Sequence, residues 1–109
     1  MIKVYFEKNK YGTICWYKEG TKIPHREDGP AKEYSNRSKE WYYDGELHRA
    51  DGPAIDYIDG YKEYWLNGLC HRKDGPAIIL NGSGYYYLND KYYPNITTDE
   101  EWLIFQIIN

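Results

Sequence analysis

Valine occurs once in the 109-residue chain and phenylalanine twice, and with leucine and isoleucine added these four types reach only 18% of it. In a chain that is 28% charged, so little aliphatic side chain would ordinarily leave no core to fold around. Cysteine is equally scarce. Cys15 and Cys70 stand far apart in the sequence, so neither a close-spaced zinc pair nor a disulfide framework is signalled, and both are expected as free, partly buried thiols. No apolar run approaches the roughly 20 residues of a membrane span. The opening MIKVYFEKNK lacks the apolar segment of a signal peptide, so a cytoplasmic location is expected and the sequons at Asn36 and Asn95 are read as chance. Base is not in excess either. A formal charge of −3 argues against an evenly basic nucleic-acid surface, although a local basic stripe stays open.

What the chain has instead is rings: 14 Tyr and 4 Trp. Aromatic residues favour strands and bury large areas while keeping a polar handle. The length suits a single domain over 1–109, and the composition a small, mainly β protein with an aromatic core.

The chain also repeats itself. His25-Arg26-Glu27-Asp28-Gly29-Pro30-Ala31, His48-Arg49-Ala50-Asp51-Gly52-Pro53-Ala54 and His71-Arg72-Lys73-Asp74-Gly75-Pro76-Ala77 are three copies of one motif, and their even spacing sets a period of about 23 residues. A second landmark, Tyr42-Tyr43-Asp44-Gly45, Trp65-Leu66-Asn67-Gly68 and Tyr87-Leu88-Asn89-Asp90, follows Ala31, Ala54 and Ala77 at offsets of 11, 11 and 10. Tyr17-Lys18-Glu19-Gly20 is an earlier, degenerate copy. These offsets define a repeat array over about 5–93 in which each unit buries its face on its neighbours.

Within a unit the signals run strand, turn, strand, as in Ala54–Ile58, Asp59-Gly60, Tyr61–Leu66 and Asn67-Gly68. Asp-Gly and Asn-Gly mark tight hairpins whose two central residues take positive φ. Asp-Gly-Pro adds a corner, because proline fixes its own φ and restricts the glycine before it. The expected fold is therefore an elongated, twisted antiparallel meander, with one hairpin unit per period. The period fails after about residue 93. There Thr98-Asp99-Glu100-Glu101 carries a capping-box pattern ahead of Trp102–Ile108, which predicts one short helix over about 98–108. Its apolar residues nearly encircle it, so it is expected to cap the open end of the stack.

This spelling resembles the MORN family and its bacterial variants, whose units carry aromatic-x-(Asn/Asp)-Gly, a short strand and a Gly-containing turn. The HR-x-DGPA step departs from the usual pattern and resembles repeats of uncharacterised bacterial and bacteriophage proteins. The resemblance implies an elongated antiparallel scaffold with no catalytic residues to carry over, of a kind used by small antitoxins and phage inhibitors of host proteins.

Candidate site residues follow from the rows. The period places His25, His48 and His71 in one row and Arg26, Arg49 and Arg72 in another, on the opposite strand face. A structural role is one reading: Asp28, Asp51 and Asp74 accept from the Arg two residues earlier, and each His bonds a backbone carbonyl of the adjacent unit. Equivalent positions two strands apart lie about 9 to 10 Å from one another, too far for a metal ladder, so no metal and no cofactor is expected. Three equivalent His-Arg-x-Asp sets with no nucleophile beside them also argue against an enzyme.

Binding is the stronger class, since the tyrosines cannot all fit the core of one sheet. Exposed Tyr, Trp and Arg dominate protein interfaces, which adds Tyr42, Trp65 and Tyr87 to the Arg and His rows as tentative contacts. A protein partner such as a host enzyme, toxin or defence protein is the first expectation, with self-association as a companion to it. A nucleotide or single-stranded nucleic acid on the Arg and Tyr rows is the alternative, though Glu27 and Lys73 at equivalent places oppose a continuous phosphate track. A third reading is that the rings simply pair across strands and shield the sheet.

Overall fold

The computed structural model describes residues 2–109; Met1, which the expected domain includes, lies outside the described residues. The chain is mainly β with one C-terminal helix. Eight strands form an antiparallel sheet in meander order: β1 (Val4–Lys8), β2 (Ile14–Lys18), β3 (Lys32–Glu33), β4 (Lys39–Glu40), β7 (Ile55–Asp56), β8 (Lys62–Glu63), β11 (Ile78–Leu80) and β12 (Ser83–Tyr85). Between them the chain leaves the sheet to form three two-stranded hairpins, β5 (Tyr42–Tyr43) with β6 (Glu46–Leu47), β9 (Trp65–Leu66) with β10 (Leu69–Cys70), and β13 (Tyr87–Leu88) with β14 (Lys91–Tyr92). Each of the three motif-bearing units thus contributes one hairpin to the sheet and one to a second row beside it, while β1 and β2 add a fourth hairpin to the sheet alone.

Extents of 47 × 29 × 18 Å and a radius of gyration of 15.6 Å describe an elongated slab, since a compact chain of this length has a radius of about 13 Å. A slab this thin has little interior. Its fully buried residues are small or ring-shaped: Ala31, Ala54 and Ala77 after each Asp-Gly-Pro corner, His25, and Trp102.

The turn chemistry splits by row. In the second row Asp44-Gly45, Asn67-Gly68 and Asn89-Asp90 take positive φ at both central positions, as two-residue hairpins demand. Asp59-Gly60 departs from that expectation. Its loop has three residues, Ile58 to Gly60, closed by the Tyr57 N–H donating to the Tyr61 carbonyl. Only Gly60 takes positive φ, at +94°, while the Asp59 carboxylate accepts from the Tyr61 N–H.

Helix α1 (Asp99–Ile108) starts at Thr98, which makes both hydrogen bonds of the capping box with Glu101. The helix docks through one face. Its Trp102 indole N–H donates to the Arg72 carbonyl at 3.0 Å, and its Gln106 amide to the Lys73 carbonyl at 2.7 Å. The Trp102 ring also packs 5.4 Å from those of Tyr86 and Tyr93. The apolar encirclement is not fully buried, however: Leu103, Ile104, Ile107 and Ile108 face outward.

Candidate functional site

The three motifs adopt one geometry. Each arginine sits over a ring of the sheet, with the guanidinium carbons of Arg26, Arg49 and Arg72 at 4.4, 3.8 and 3.9 Å from the ring centres of Trp16, Trp41 and Tyr64. Each Nε donates to the aspartate two residues on, at 3.0, 3.1 and 2.9 Å, and each Nη1 to the carbonyl of Pro30, Pro53 or Pro76. The fork therefore closes its own corner. Gly29, Gly52 and Gly75 cover the other side of the guanidinium, and a Cβ on any of them would stand 2.9 to 3.0 Å from its carbon.

The histidines join neighbouring units. In a two-residue hairpin both central N–H groups point away from the ladder and need acceptors. The first, on Asp44, Asn67 or Asn89, donates to Nδ1 of His25, His48 or His71 at 2.7, 2.9 and 3.0 Å. The second, on Gly45, Gly68 or Asp90, donates to the carbonyl of Pro24, Leu47 or Cys70, the residue just before that histidine. The expected bond to a backbone carbonyl is corrected here, because the imidazole accepts an amide proton and its own proton sits on Nε2. The expected opposite faces are corrected too: the strand ends before His48, so that His48 packs against Tyr43 while Arg49 covers Trp41 on the same side. Burial, with the nearby Lys73 charge, lowers the His71 pKa.

Between successive corners run two equivalent grooves. The first, about 750 Å³, is lined by Arg26, Asp28, Trp41, His48, Arg49 and Asp51 among others. The second, about 570 Å³, is lined by Arg49, Asp51, Tyr64, His71, Arg72 and Asp74 among others. The aspartate side chains are more than 80% exposed, so each groove presents carboxylates around a guanidinium whose Nε and Nη1 already bond within its own corner.

Tyr42, Trp65 and Tyr87 lie on the other face. There the pairings Cys15–Lys32, Lys32–Glu40, Glu40–Ile55, Ile55–Glu63 and Glu63–Ile78 run as one cross-strand row, and tyrosines flank it. Glu40 is buried and accepts from the hydroxyls of Tyr34, Tyr42 and Tyr57 at 3.0, 3.0 and 2.5 Å. Glu63 accepts from Tyr61 and, at 2.7 Å, from the Trp65 indole. Burial, reinforced by the Glu40 carboxylate, pushes the Tyr42 and Tyr57 phenols well above their usual range. Burial and Glu63 push Tyr61 up to about 12. Burial, with the Glu63 and Asp90 charges, pushes the Cys70 thiol up to about 12. Glu40 and Glu63 were not among the expected site residues, although Lys39-Glu40-Trp41 and Lys62-Glu63-Tyr64 stand one period apart.

Arg26, Arg49, Arg72, His48 and His71 thus line the grooves, His25 is fully buried beneath them, and Tyr42, Trp65 and Tyr87 occupy the opposite, tyrosine-rich face; the two sets do not form one site. Among the described residues, no group of three or more His, Cys, Asp or Glu is placed to hold a metal ion, and no helix is long and apolar enough to cross a membrane. Set beside family models, curated proteins and solved structures, the chain has no match in any of the three.

Proposed function

We propose that the protein is a non-catalytic interaction module whose tyrosine face docks onto a protein, in the manner of a small bacterial or phage-encoded inhibitor or antitoxin that blocks a host protein. The observation that carries this reading is the anchoring of Tyr34, Tyr42 and Tyr57 by one buried carboxylate, with their rings half-buried in the surface. Rings whose hydroxyls are already tied down lose little rotamer freedom on binding, and tyrosine supplies large contact area at low entropic cost. The resemblance to MORN-type hairpin units supports a scaffold in the same direction. Each motif arginine is held in its corner through Nε and Nη1 and each motif histidine through Nδ1, which favours the tyrosine face over the Arg row as the contact surface.

The test is affinity capture from a nuclease-treated bacterial lysate followed by native mass spectrometry, comparing the parent with Trp65→Ala and Tyr87→Ala variants whose melting curves show them folded. A stoichiometric protein partner held by the parent and lost by both variants is expected. A bound nucleotide or nucleic-acid fragment, or a partner indifferent to both changes, overturns the reading.

A further inference from the structure

We propose that the two ends of the slab are complementary and that copies of this chain associate head to tail. The argument starts from one row of rings on the Arg-bearing face. Arg26 covers Trp16, Arg49 covers Trp41, Arg72 covers Tyr64, and Trp102 of α1 packs on Tyr86. At the opposite end Phe6, 5.0 Å from Trp16 and cross-strand from it, has no arginine and no corner above it among the described residues. Phe6 is 56% exposed and Tyr11 in the next loop 71%. The row is open at one end and closed by a helix at the other.

That helix turns a second apolar surface outward. Ile107 and Ile108 are 81% and 74% exposed, Leu103 and Ile104 about half; four such side chains on one short helix form a contiguous apolar patch, the kind of surface that marks an interaction site. Charge matches across the two ends. Residues 2–10 carry Lys3, Lys8 and Lys10 against a single acid, Glu7, whereas 99–109 carry Asp99, Glu100 and Glu101 and no base. All six of these flanking lysines and acids are exposed. Backbone groups are available as well. Because the Asn9 N–H donates to the Thr13 carbonyl and the Glu19 N–H to the Lys3 carbonyl, odd-numbered residues of β1 face β2, leaving the N–H and C=O of Val4, Phe6 and Lys8 along the sheet edge.

A twofold pairing of two helices fits less well. It would set the acidic first turn of each against a last turn that has no basic residue. A basic, apolar surface is what the helix needs, and the Phe6 end of a second copy supplies it. Such a contact is heterologous, so it propagates to longer assemblies unless one end is blocked.

The experiment is sedimentation velocity on the parent, on Phe6→Lys, on Ile107→Glu and on an equimolar mixture of the two variants. Each substitution lies at an exposed position and keeps the charge sign of its own end. The parent should grow with concentration to species larger than two chains, and each variant alone should remain a single chain. The mixture should form a species of two chains and stop there, because one intact helix end meets one intact Phe6 end. A parent that stays monomeric at high concentration overturns the proposal. So does Phe6→Lys that still dimerises, which indicates a helix pair, or Ile107→Glu that still dimerises, which indicates an edge-to-edge pair.

Discussion

The guanidinium of Arg49 occupies the space that a side chain on Gly52 would need: a Cβ there would lie 2.9 Å from the guanidinium carbon. The backbone at Gly52 is not in the left-handed region, so the glycine is required by the arginine rather than by the turn. Gly52→Ala should push Arg49 off Trp41 and away from the Pro53 carbonyl, at a cost of about 2 kcal/mol from one cation–π contact and one hydrogen bond. In an Arg49→Ala background the same change should cost far less, and urea melts of the four proteins read that non-additivity. Asp51→Ala should cost under about 1 kcal/mol, since its side chain is 88% exposed and exposed ion pairs contribute little.

His48 predicts a second contrast. Its Nδ1 accepts the Asn67 N–H, a group that faces away from its own hairpin. His48→Ala removes that acceptor at an exposed hairpin and should cost about 1 kcal/mol. His48→Asn removes most of the ring as well but returns an acceptor oxygen near the Nδ1 position, so it should recover part of the loss. Equal destabilisation by the two substitutions in chemical denaturation would show that the ring, not the acceptor, is what matters.

Much of this architecture is legible in the residue order, down to a single-residue irregularity. The spacing from Ala to the second landmark is 11, 11 and 10 because the sheet hairpins close through three-residue loops at Ser35–Arg37 and Ile58–Gly60 but through the two-residue Asn81-Gly82 loop in the last unit, where both residues take positive φ. The helix start is equally readable, since Thr98 and Glu101 are local to it. What the order does not display are contacts whose partners are set by the stacking of units. That His48 accepts a proton from the Asn67 amide of the following hairpin, and that Glu40 gathers hydroxyls from Tyr34, Tyr42 and Tyr57, depends on which strands lie side by side. The division into a sheet and a separate row of hairpins is hidden for the same reason. Strand alternation carries straight through Trp41 and Tyr64, where the hydrogen-bonding partner changes.

The tyrosine cluster predicts an alkaline weakness. In the folded chain burial and the Glu40 charge hold the Tyr42 and Tyr57 phenols above the ordinary value of 10.0. Above that pH the unfolded chain loses protons that the folded chain keeps, so stability falls as pH rises from about 10 toward the folded values. Glu40→Gln removes the charge that disfavours phenolate. Tyrosinate absorbance should then develop at lower pH than in the parent, and unchanged titration would mean that burial alone sets the shift.

Acid should act through His71 in the opposite sense. Its pKa is lowered from 6.5 by burial and by Lys73, and its Nδ1 already accepts the Asn89 N–H, so a proton placed there would displace that bond. As pH falls below 6.5 the unfolded chain gains a proton that the folded chain resists. Stability contributed by neutral His71 is therefore present above 6.5, declines below it, and stops declining once pH passes the folded value. Lys73→Ala removes a positive charge from the same environment and should raise the folded value toward 6.5, so that the loss, which still begins near 6.5, ends at a higher pH and the acid-induced drop in melting temperature shrinks. His71→Asn keeps an acceptor but cannot titrate in this range, and its melting temperature should be less sensitive to pH between 7 and 5 than that of the parent. An identical pH profile for parent and His71→Asn would transfer the acid sensitivity to other groups.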